Sequence, residues 1–430
     1  MWRFGAEILM APVFGIPDRV ISMNFHDIKG WGNRFAALSA ALALSTAYAP
    51  PSRAGATFKI DDTKWISIGA GLRTSFRATE KGAPNSGRWS NDFNLDNIRL
   101  YINAQIHQYL KLEFNTDCQT CNNGGEVRVL DAIAKVEYDP LINLWMGRML
   151  VPAERREMNG PFFSAVYDMF RVGTPFEPAD YNLTITSNGN SAGSYGRDDG
   201  ATIWGAVYEQ RFQYAIGFFR GLRNGANRDG NILFAQRFAY NFLDVEKNPG
   251  YYTSGSYYGK GGDILTLAVS NQYQEDGAGT RSDPGNFRGT TVDVLYEQNF
   301  DGGKAGVLTF NGEYKNYGIT GYGIQSRQSS LPGFALFEGS AFDVSAMYLL
   351  PQPVWIGRFQ PYLRYVEAMP INSSDRNNWE AGVNYVIDGH NARISLIYNY
   401  SDMFTKGLDY TPAASGNHVS SFTLGFQLQI

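Results

Sequence analysis

The chain has 430 residues, with 47 Gly, 26 Tyr and 28 Phe but only 2 Cys and 4 His. Its net charge of -4 argues against bulk nucleic-acid binding, which favours basic chains. Mean hydropathy is -0.29, and beyond the N-terminal region there is no apolar run of roughly 18 residues that a membrane-spanning helix needs. A closed β-barrel can still cross a bilayer, because polar lumen-facing residues alternate with its apolar ones.

The N-terminal region has the pattern of an export signal beginning at Met23. Lys29 and Arg34 supply the basic part, residues 35–48 form a short apolar stretch, and small residues follow. We predict cleavage after Ala56, with Ala49 as the second choice, so that residues 1–56 are a targeting region and residues 57–430 form the barrel. The first 22 residues fit no part of this pattern. They are either a long n-region or the result of a start assigned too early.

The mature chain contains about 16 segments with strand-like alternation of apolar and polar residues. They are predicted at 64–77, 96–106, 110–117, 129–138, 142–149, 201–209, 212–220, 231–242, 264–274, 290–299, 305–316, 341–350, 357–367, 379–387, 393–400 and 419–430. The fold predicted is therefore all-β, a transmembrane antiparallel barrel.

The connectors between these segments alternate between short and long. Short ones fall at 107–109, 139–141, 210–211, 301–304 and 388–391. Bacterial barrels have short periplasmic turns and longer outer loops, so this parity places both termini in the periplasm. One connector breaks the rule, because residues 243–263 should form a short turn.

The last segment shows the lipid-facing register most clearly. Apolar side chains occupy every second position, with small or polar residues between them. The apolar set is Phe422, Leu424, Phe426, Leu428 and Ile430, and the opposite set is Thr423, Gly425, Gln427 and Gln429. An amphipathic strand of a soluble sandwich is the alternative for this segment alone. A similar alternation begins at Ile98 and at Ala392, and tyrosines near strand ends suggest interfacial girdles.

The longest connector, residues 150–200, is the third outward loop. Long loops without periodicity are often functional, and a lumen of about 16 strands is wide enough to need narrowing. We expect this loop to fold inward, with its charges setting the field felt by permeating solutes. The best constriction candidates are Arg155, Arg156, Asp168 and Arg171. A solvated outer loop is the alternative.

Alternation also predicts which charges line the lumen. The basic candidates are Arg73, Arg99, Lys135, Arg148, Arg358, Arg364 and Arg393, with Arg77 and Arg237. The acidic candidates are Asp131, Glu137, Asp293, Glu297, Glu313, Asp343 and Glu380. The slight basic excess predicts a weakly anion-preferring or general diffusion pore.

The two cysteines, Cys118 and Cys121, lie in the second outward loop. A C-x-x-C pair can be redox-active or bind metal, but both uses normally need a suitable fold or a second ligand pair, and the sequence has no other cysteine. We predict a local disulfide, no metal and no cofactor.

Three segments resemble the phosphate-selective porin O and P family of Gram-negative outer membranes. They are Arg99 to Asp117 (RLYINAQIHQYLKLEFNTD), Ala134 to Phe163 (AKVEYDPLINLWMGRMLVPAERREMNGPFF) and Trp379 to Tyr400 (WEAGVNYVIDGHNARISLIYNY). The resemblance implies a trimeric, 16-stranded outer-membrane porin whose third loop enters the lumen, with lipid and small anionic or neutral solutes as partners. The arginine ladder and lysine clusters of that family are not matched residue by residue, so the resemblance does not by itself imply phosphate.

Two other functions remain as alternatives. A barrel hydrolase would need a histidine near the outer rim, and only His418 is predicted there, since His107 and His390 fall in periplasmic turns. The prediction is therefore not an enzyme. A barrel sheath for a periplasmic or surface partner, such as an electron-transfer cytochrome, is not distinguished from a porin by the sequence.

Overall fold

The structure is a computed structural model. It describes residues 55–85, 87–119, 121, 126–168, 196–223, 226–248, 250–320, 339–371, 373–403, 405–406 and 413–430. The predicted signal region lies outside these residues, apart from its last two positions.

The described residues form 17 strands and one α-helix. The strands are β1 Ala56–Lys59, β2 Trp65–Thr79, β3 Ser90–His107, β4 Leu110–Gln119, β5 Arg128–Glu137, β6 Asn143–Leu150, β7 Arg197–Val207, β8 Phe212–Phe219, β9 Leu233–Asn241, β10 Ile264–Thr280, β11 Asp283–Phe300, β12 Gly306–Thr320, β13 Gly339–Leu349, β14 Arg358–Pro370, β15 Arg376–Asp388, β16 Ala392–Ser401 and β17 Val419–Gln429. The helix, α1, is Arg155–Phe163, and a short 3-10 turn covers Asp301–Gly303. In the described part of the chain, no helix has the length and apolar character needed to cross a membrane.

Strands β2 to β17 close into an antiparallel barrel of sixteen strands. Each pairs with its neighbour in sequence, and β17 returns to β2, with Leu424 opposite Phe76. Strand β1 pairs with the part of β2 that β17 leaves uncovered, with Ala56 opposite Ile68. Closure satisfies the backbone hydrogen bonds of every barrel strand, which a lipid environment requires. The predicted fold class and strand count are confirmed.

The side chains of the wall alternate between an exposed apolar face and a buried polar face. On β17, Phe422, Leu424, Phe426 and Leu428 are exposed, whereas Gln427 is completely buried. On β3, Ile98 and Leu100 are exposed on either side of the buried Arg99. The outward register predicted from the sequence is therefore correct for these strands, and the outside of the barrel suits lipid.

One predicted outer loop is in fact a strand hairpin. The Gly- and Ser-rich sequence predicted a loop at 275–289, but β10 and β11 continue through it and pair up to Thr280 and Asp283. A β-bulge between Gln274 and Ala278 accommodates a shift in the pairing register. Backbone pairing with the neighbouring strand thus overrides the local turn composition.

Candidate functional site

Residues 151–168, here called the inner loop, run from the outer end of β6 into the barrel. Their contacts are with inward-facing side chains on distant strands. Asp293 of β11 accepts from Arg155 N (3.2 Å), Gln427 of β17 donates to Phe162 O (2.8 Å), and Arg393 of β16 donates to Ser164 O (2.9 Å). The described part of the predicted third loop therefore lies inside the wall. The rest of that loop, including Arg171, falls outside the described residues.

Helix α1 places charged side chains of the inner loop in buried positions inside the barrel. It is kinked at Gly160, whose φ of 57° places it in the left-handed region that glycine tolerates. Arg155 and Glu157 are buried to within 2 % of complete burial. Buried charges of this kind need partners, because an unpaired ion in a low-dielectric interior is very costly.

The partners of Arg156 form a network with the wall. Arg156 pairs with Asp343 of β13 and lies 3.6 Å from Glu313 of β12. Arg364 of β14 joins the same network, with Nη2 2.8 Å from Asp343 and Nη1 3.0 Å from Glu380. Ion pairs thus join the inner loop to β12 and β13, and Arg364 and Glu380 extend the network to β14 and β15.

Asp168 lies at the end of the described inner loop. Its carboxylate accepts from Arg77 Nη2 (2.5 Å), and its carbonyl accepts from Arg364 Nη1 (2.8 Å). Asp168 therefore bridges β2 and β14. The other two predicted constriction residues that the structure describes, Arg155 and Arg156, are buried inside the barrel.

A second segment enters the barrel from the other end. Residues 242–263, here called the periplasmic insert, contain the long connector, predicted at 243–263, that broke the parity rule. Thr253 N donates to Met158 O (3.2 Å) and Gly255 N donates to Phe163 O (2.9 Å). The insert therefore packs directly on α1. Its length was visible in the sequence, but its position and contacts were not predicted.

Arg155 joins the two segments. Its guanidinium donates to both carboxylate oxygens of Glu246 in the insert, each at 2.7 Å, and to Ser254 O at 2.9 Å. Burial raises the pKa of Glu246, but the neighbouring Arg155 outweighs burial and lowers that pKa to about 2. The pair is consequently ionised at neutral pH, and it forms a bidentate contact between α1 and the insert.

His390, in the short turn between β15 and β16, meets the far end of the insert. Its Nε2 is 2.9 Å from Ser254 Oγ, and its ring packs on Phe163 and Tyr258. Burial, together with the nearby positive charges of Arg393 and Lys260, lowers the pKa of His390 from 6.5 to about 3. The imidazole is therefore neutral at physiological pH.

Six of the nine predicted lumen cations fall into three groups. Arg99 pairs with Asp117 (3.1 Å), Lys135 pairs with Glu113, and Arg364 belongs to the network above. Arg73 and Arg393 are buried, and their hydrogen-bond partners are amide and carbonyl oxygens and the Tyr258 hydroxyl. Arg358 is half-buried at the periplasmic end of β14.

Arg148 is a correction, because it faces outward. It lies opposite the exposed Ala132 of β5 and pairs with Asp199 of β7 at 2.8 Å. The inward positions of β6 are those of Asn143, Trp145 and Met149, all buried. Since alternate residues face opposite sides, the prediction was wrong by one position.

A cavity of about 360 Å³ lies beneath the insert on the periplasmic side. Its walls combine aromatic, amide and charged side chains from β5 to β9 and from the insert. They include Glu137, Trp204, Gln213, Tyr214, Glu246 and Tyr251. The cavity has room for a small hydrophilic molecule.

Cys118, near the outer end of β4, is joined by a disulfide to Cys121, with their Cα atoms 5.5 Å apart. His418, the histidine on the outer side, lies 2.7 Å from Asn377 Oδ1 and stacks on Tyr400. These two groups and the Asp402 carboxylate, 3.9 Å from His418 Nδ1, do not supply a serine or cysteine nucleophile for the hydrolase alternative.

No protein-family model and no curated protein matches the chain. Solved structures do match. OprB of Pseudomonas putida shares 9% identity with a TM-score of 0.54, over 85% of this chain and 94% of that one. The anion-selective porin of Comamonas acidovorans shares 12% identity with a TM-score of 0.53, over 85% of this chain and 100% of that one.

The chain has the fold of outer-membrane β-barrels. OmpT of Vibrio cholerae also has this fold. It shares 12% identity with a TM-score of 0.50, over 87% of this chain and 100% of that one. At such identities the likeness concerns the fold alone. The barrel that the family resemblance implies is confirmed.

Proposed function

We propose that this chain is a porin of the Gram-negative outer membrane, which lets small hydrophilic solutes and ions diffuse passively. The proposal rests on the polarity of the barrel wall, which is reversed relative to a soluble β-sandwich. Exposed apolar residues such as Leu424 face outward, and buried charged residues such as Arg364 face a lumen narrowed by α1. A soluble sandwich would bury the apolar face instead.

A weak anion preference is the selectivity we propose. Among the described lumen cations, Arg73 and Arg393 have neutral hydrogen-bond partners and no carboxylate within ion-pair distance. Most other lumen cations lie beside acids, which reduces their field. Two arginines without acidic partners support a modest preference for anions, and phosphate and other oxyanions are the first solutes to test.

We also propose a homotrimer. The support is the family resemblance, together with a solved structure of Vibrio cholerae OmpT described as a trimer form, with a TM-score of 0.50. Chemical cross-linking in mild detergent should give a band at three times the monomer mass. A monomer alone under the same conditions would contradict this assembly.

Liposome swelling tests the channel itself. Vesicles containing the folded protein should swell in isotonic solutions of small neutral sugars. Vesicles containing heat-denatured protein are the control and should not swell. Absence of swelling with a correctly folded barrel would contradict passive diffusion and would favour a sheath for a partner protein.

A further inference from the structure

The periplasmic insert crosses the lumen from one side to the other. It leaves the wall after β9 and places Ser254 against His390, in the turn that joins β15 to β16. In the ring of sixteen strands, β9 and β16 are seven positions apart, which is nearly opposite. Ser256 contacts Glu297 of β11 (2.9 Å) and Tyr251 reaches Leu150 O of β6 (2.6 Å). The insert therefore bridges the barrel.

The insert and the inner loop touch without a gap. At Gly255, an added Cβ would lie 2.5 Å from Ala165 N and 3.1 Å from Ala165 Cβ. At Gly250, whose φ is 70°, an added Cβ would lie 2.2 Å from the Trp145 ring. Glycine is the residue that permits such close approaches. Segments entering from opposite ends thus meet at van der Waals contact inside the lumen.

A buried ion pair holds this contact. Arg155 binds Glu246 in a bidentate ion pair, and Glu246 also accepts a hydrogen bond from Tyr257 Oη at 2.7 Å. Removing Glu246 would leave the buried Arg155 with Asp293, 3.4 Å from its Nε, so that its charge would be less well compensated. The contact between α1 and the insert therefore depends strongly on Glu246.

We propose that the periplasmic insert is a second constriction, which sets the size limit of the channel from the periplasmic side. A solute that passes the inner loop must also pass the insert, and the cavity of about 360 Å³ beneath it is the space through which the solute leaves. The inference rests on the proposed channel function. The insert would act by steric exclusion of larger solutes.

The insert can be deleted without removing residues of β9 or β10. Asp244 N donates to Asp263 O at 2.8 Å, so β9 and β10 are already paired at the base of the insert. An Asn-Gly turn can join two such residues in a hairpin. A variant in which Asn-Gly replaces residues 245–262 therefore keeps the barrel wall intact.

The test compares wild type, this shortened variant, Glu246→Gln and Lys260→Gln. Lys260→Gln is the matched control, because it removes a charge from the insert at an exposed ion pair with Asp388 (3.5 Å). Each protein is first shown to be folded by its heat-modifiable gel mobility, and is then assayed by planar-bilayer conductance and by liposome swelling in sugars of increasing size.

We expect the shortened variant to conduct at least about twofold more than wild type and to admit larger sugars, because a barrel of this size has a wide lumen. The conductance and the size limit of Glu246→Gln should also increase, and those of Lys260→Gln should match wild type. Equal, measurable conductance and the same size limit in wild type and the shortened variant would overturn the inference and leave the channel standing. Silence of both folded proteins would overturn the channel and the inference with it.

Discussion

Arg73 and Arg393 lie in one row across the barrel seam, each directly opposite Gln427 of β17. Arg393 donates to Gln427 Oε1 (3.3 Å), and Arg73 donates to Asn97 Oδ1 (2.8 Å). The row places two positive charges with neutral hydrogen-bond partners on the two strands that flank β17. The proposed anion preference rests on this row.

We therefore expect Arg73→Gln combined with Arg393→Gln to lower the chloride-to-potassium permeability ratio by about twofold, since fixed lumen charge sets ion preference. The reversal potential across a potassium chloride gradient measures this ratio. Arg148→Gln, on the outer face, is the control and should leave the ratio unchanged. An equal shift in the control would show that the effect is not a lumen effect.

The apolar outer face predicts a dependence on depth in the membrane. Leu424→Arg, in the middle of β17, should destabilise the barrel by about 2–4 kcal/mol, whereas Leu428→Arg, near the periplasmic end, should cost about 0–1 kcal/mol. Denaturant unfolding in lipid vesicles measures both values. Equal costs at the two positions would contradict the proposed placement in the bilayer.

The buried network predicts a large effect at Arg364. Arg364→Leu leaves Asp343 and Glu380 without this partner, so we expect a loss of about 3–5 kcal/mol of unfolding free energy. Arg358→Leu, at a half-buried position of the same strand, is the matched control. The same unfolding assay applies, and similar losses for both variants would argue against a specific role for the network.

The outer-loop disulfide predicts resistance to thiol reagents. A maleimide should label neither Cys118 nor Cys121 until a reductant is added. Because the bond closes a loop of only a few residues, reduction should leave the conductance within about twofold of the starting value. Stoichiometric labelling without reductant would show free thiols or a metal-bound pair instead.

The buried His390 predicts a pH dependence with a defined sign. Its pKa is lowered from 6.5 to about 3, so the folded state remains unprotonated at a pH where a hydrated histidine takes up a proton. The associated stability is present above pH 6.5 and is lost as the pH falls toward 3. The stability of wild type relative to His390→Asn should therefore decrease on acidification.

His107→Asn, at the exposed last residue of β3, is the control for this measurement. Unfolding free energies at pH 7 and pH 4.5 give the comparison. A difference between wild type and His390→Asn that does not change with pH would contradict burial of this imidazole.

The sequence predicted the wall well because strand alternation has a period of two, and the membrane makes one face apolar. Leu424 and Gln427 illustrate this, since each could be assigned to a face from its neighbours alone. The same rule failed by one position at Arg148, because β6 carries apolar residues on both faces, with Leu144 and Met146 outward and Trp145 and Met149 inward. Strand β1 was missed because four residues carry too little alternation.

The interior was less predictable for a physical reason. The pairing of Arg155 with Glu246 joins residues 91 positions apart through two irregular segments, and no periodicity records such a contact. The only sequence signal was the unexpected length of residues 243–263. His390 was likewise placed correctly in a turn, but its burial against Ser254 depends on the path of the insert.

The central claim is that this barrel is an ion-conducting channel. The measurement that tests it most directly is the current of the refolded mature protein in a planar bilayer with a potassium chloride gradient. We predict stepwise conductance with a reversal potential on the chloride side. Absence of any current from a correctly folded barrel, with or without its periplasmic insert, would contradict the claim.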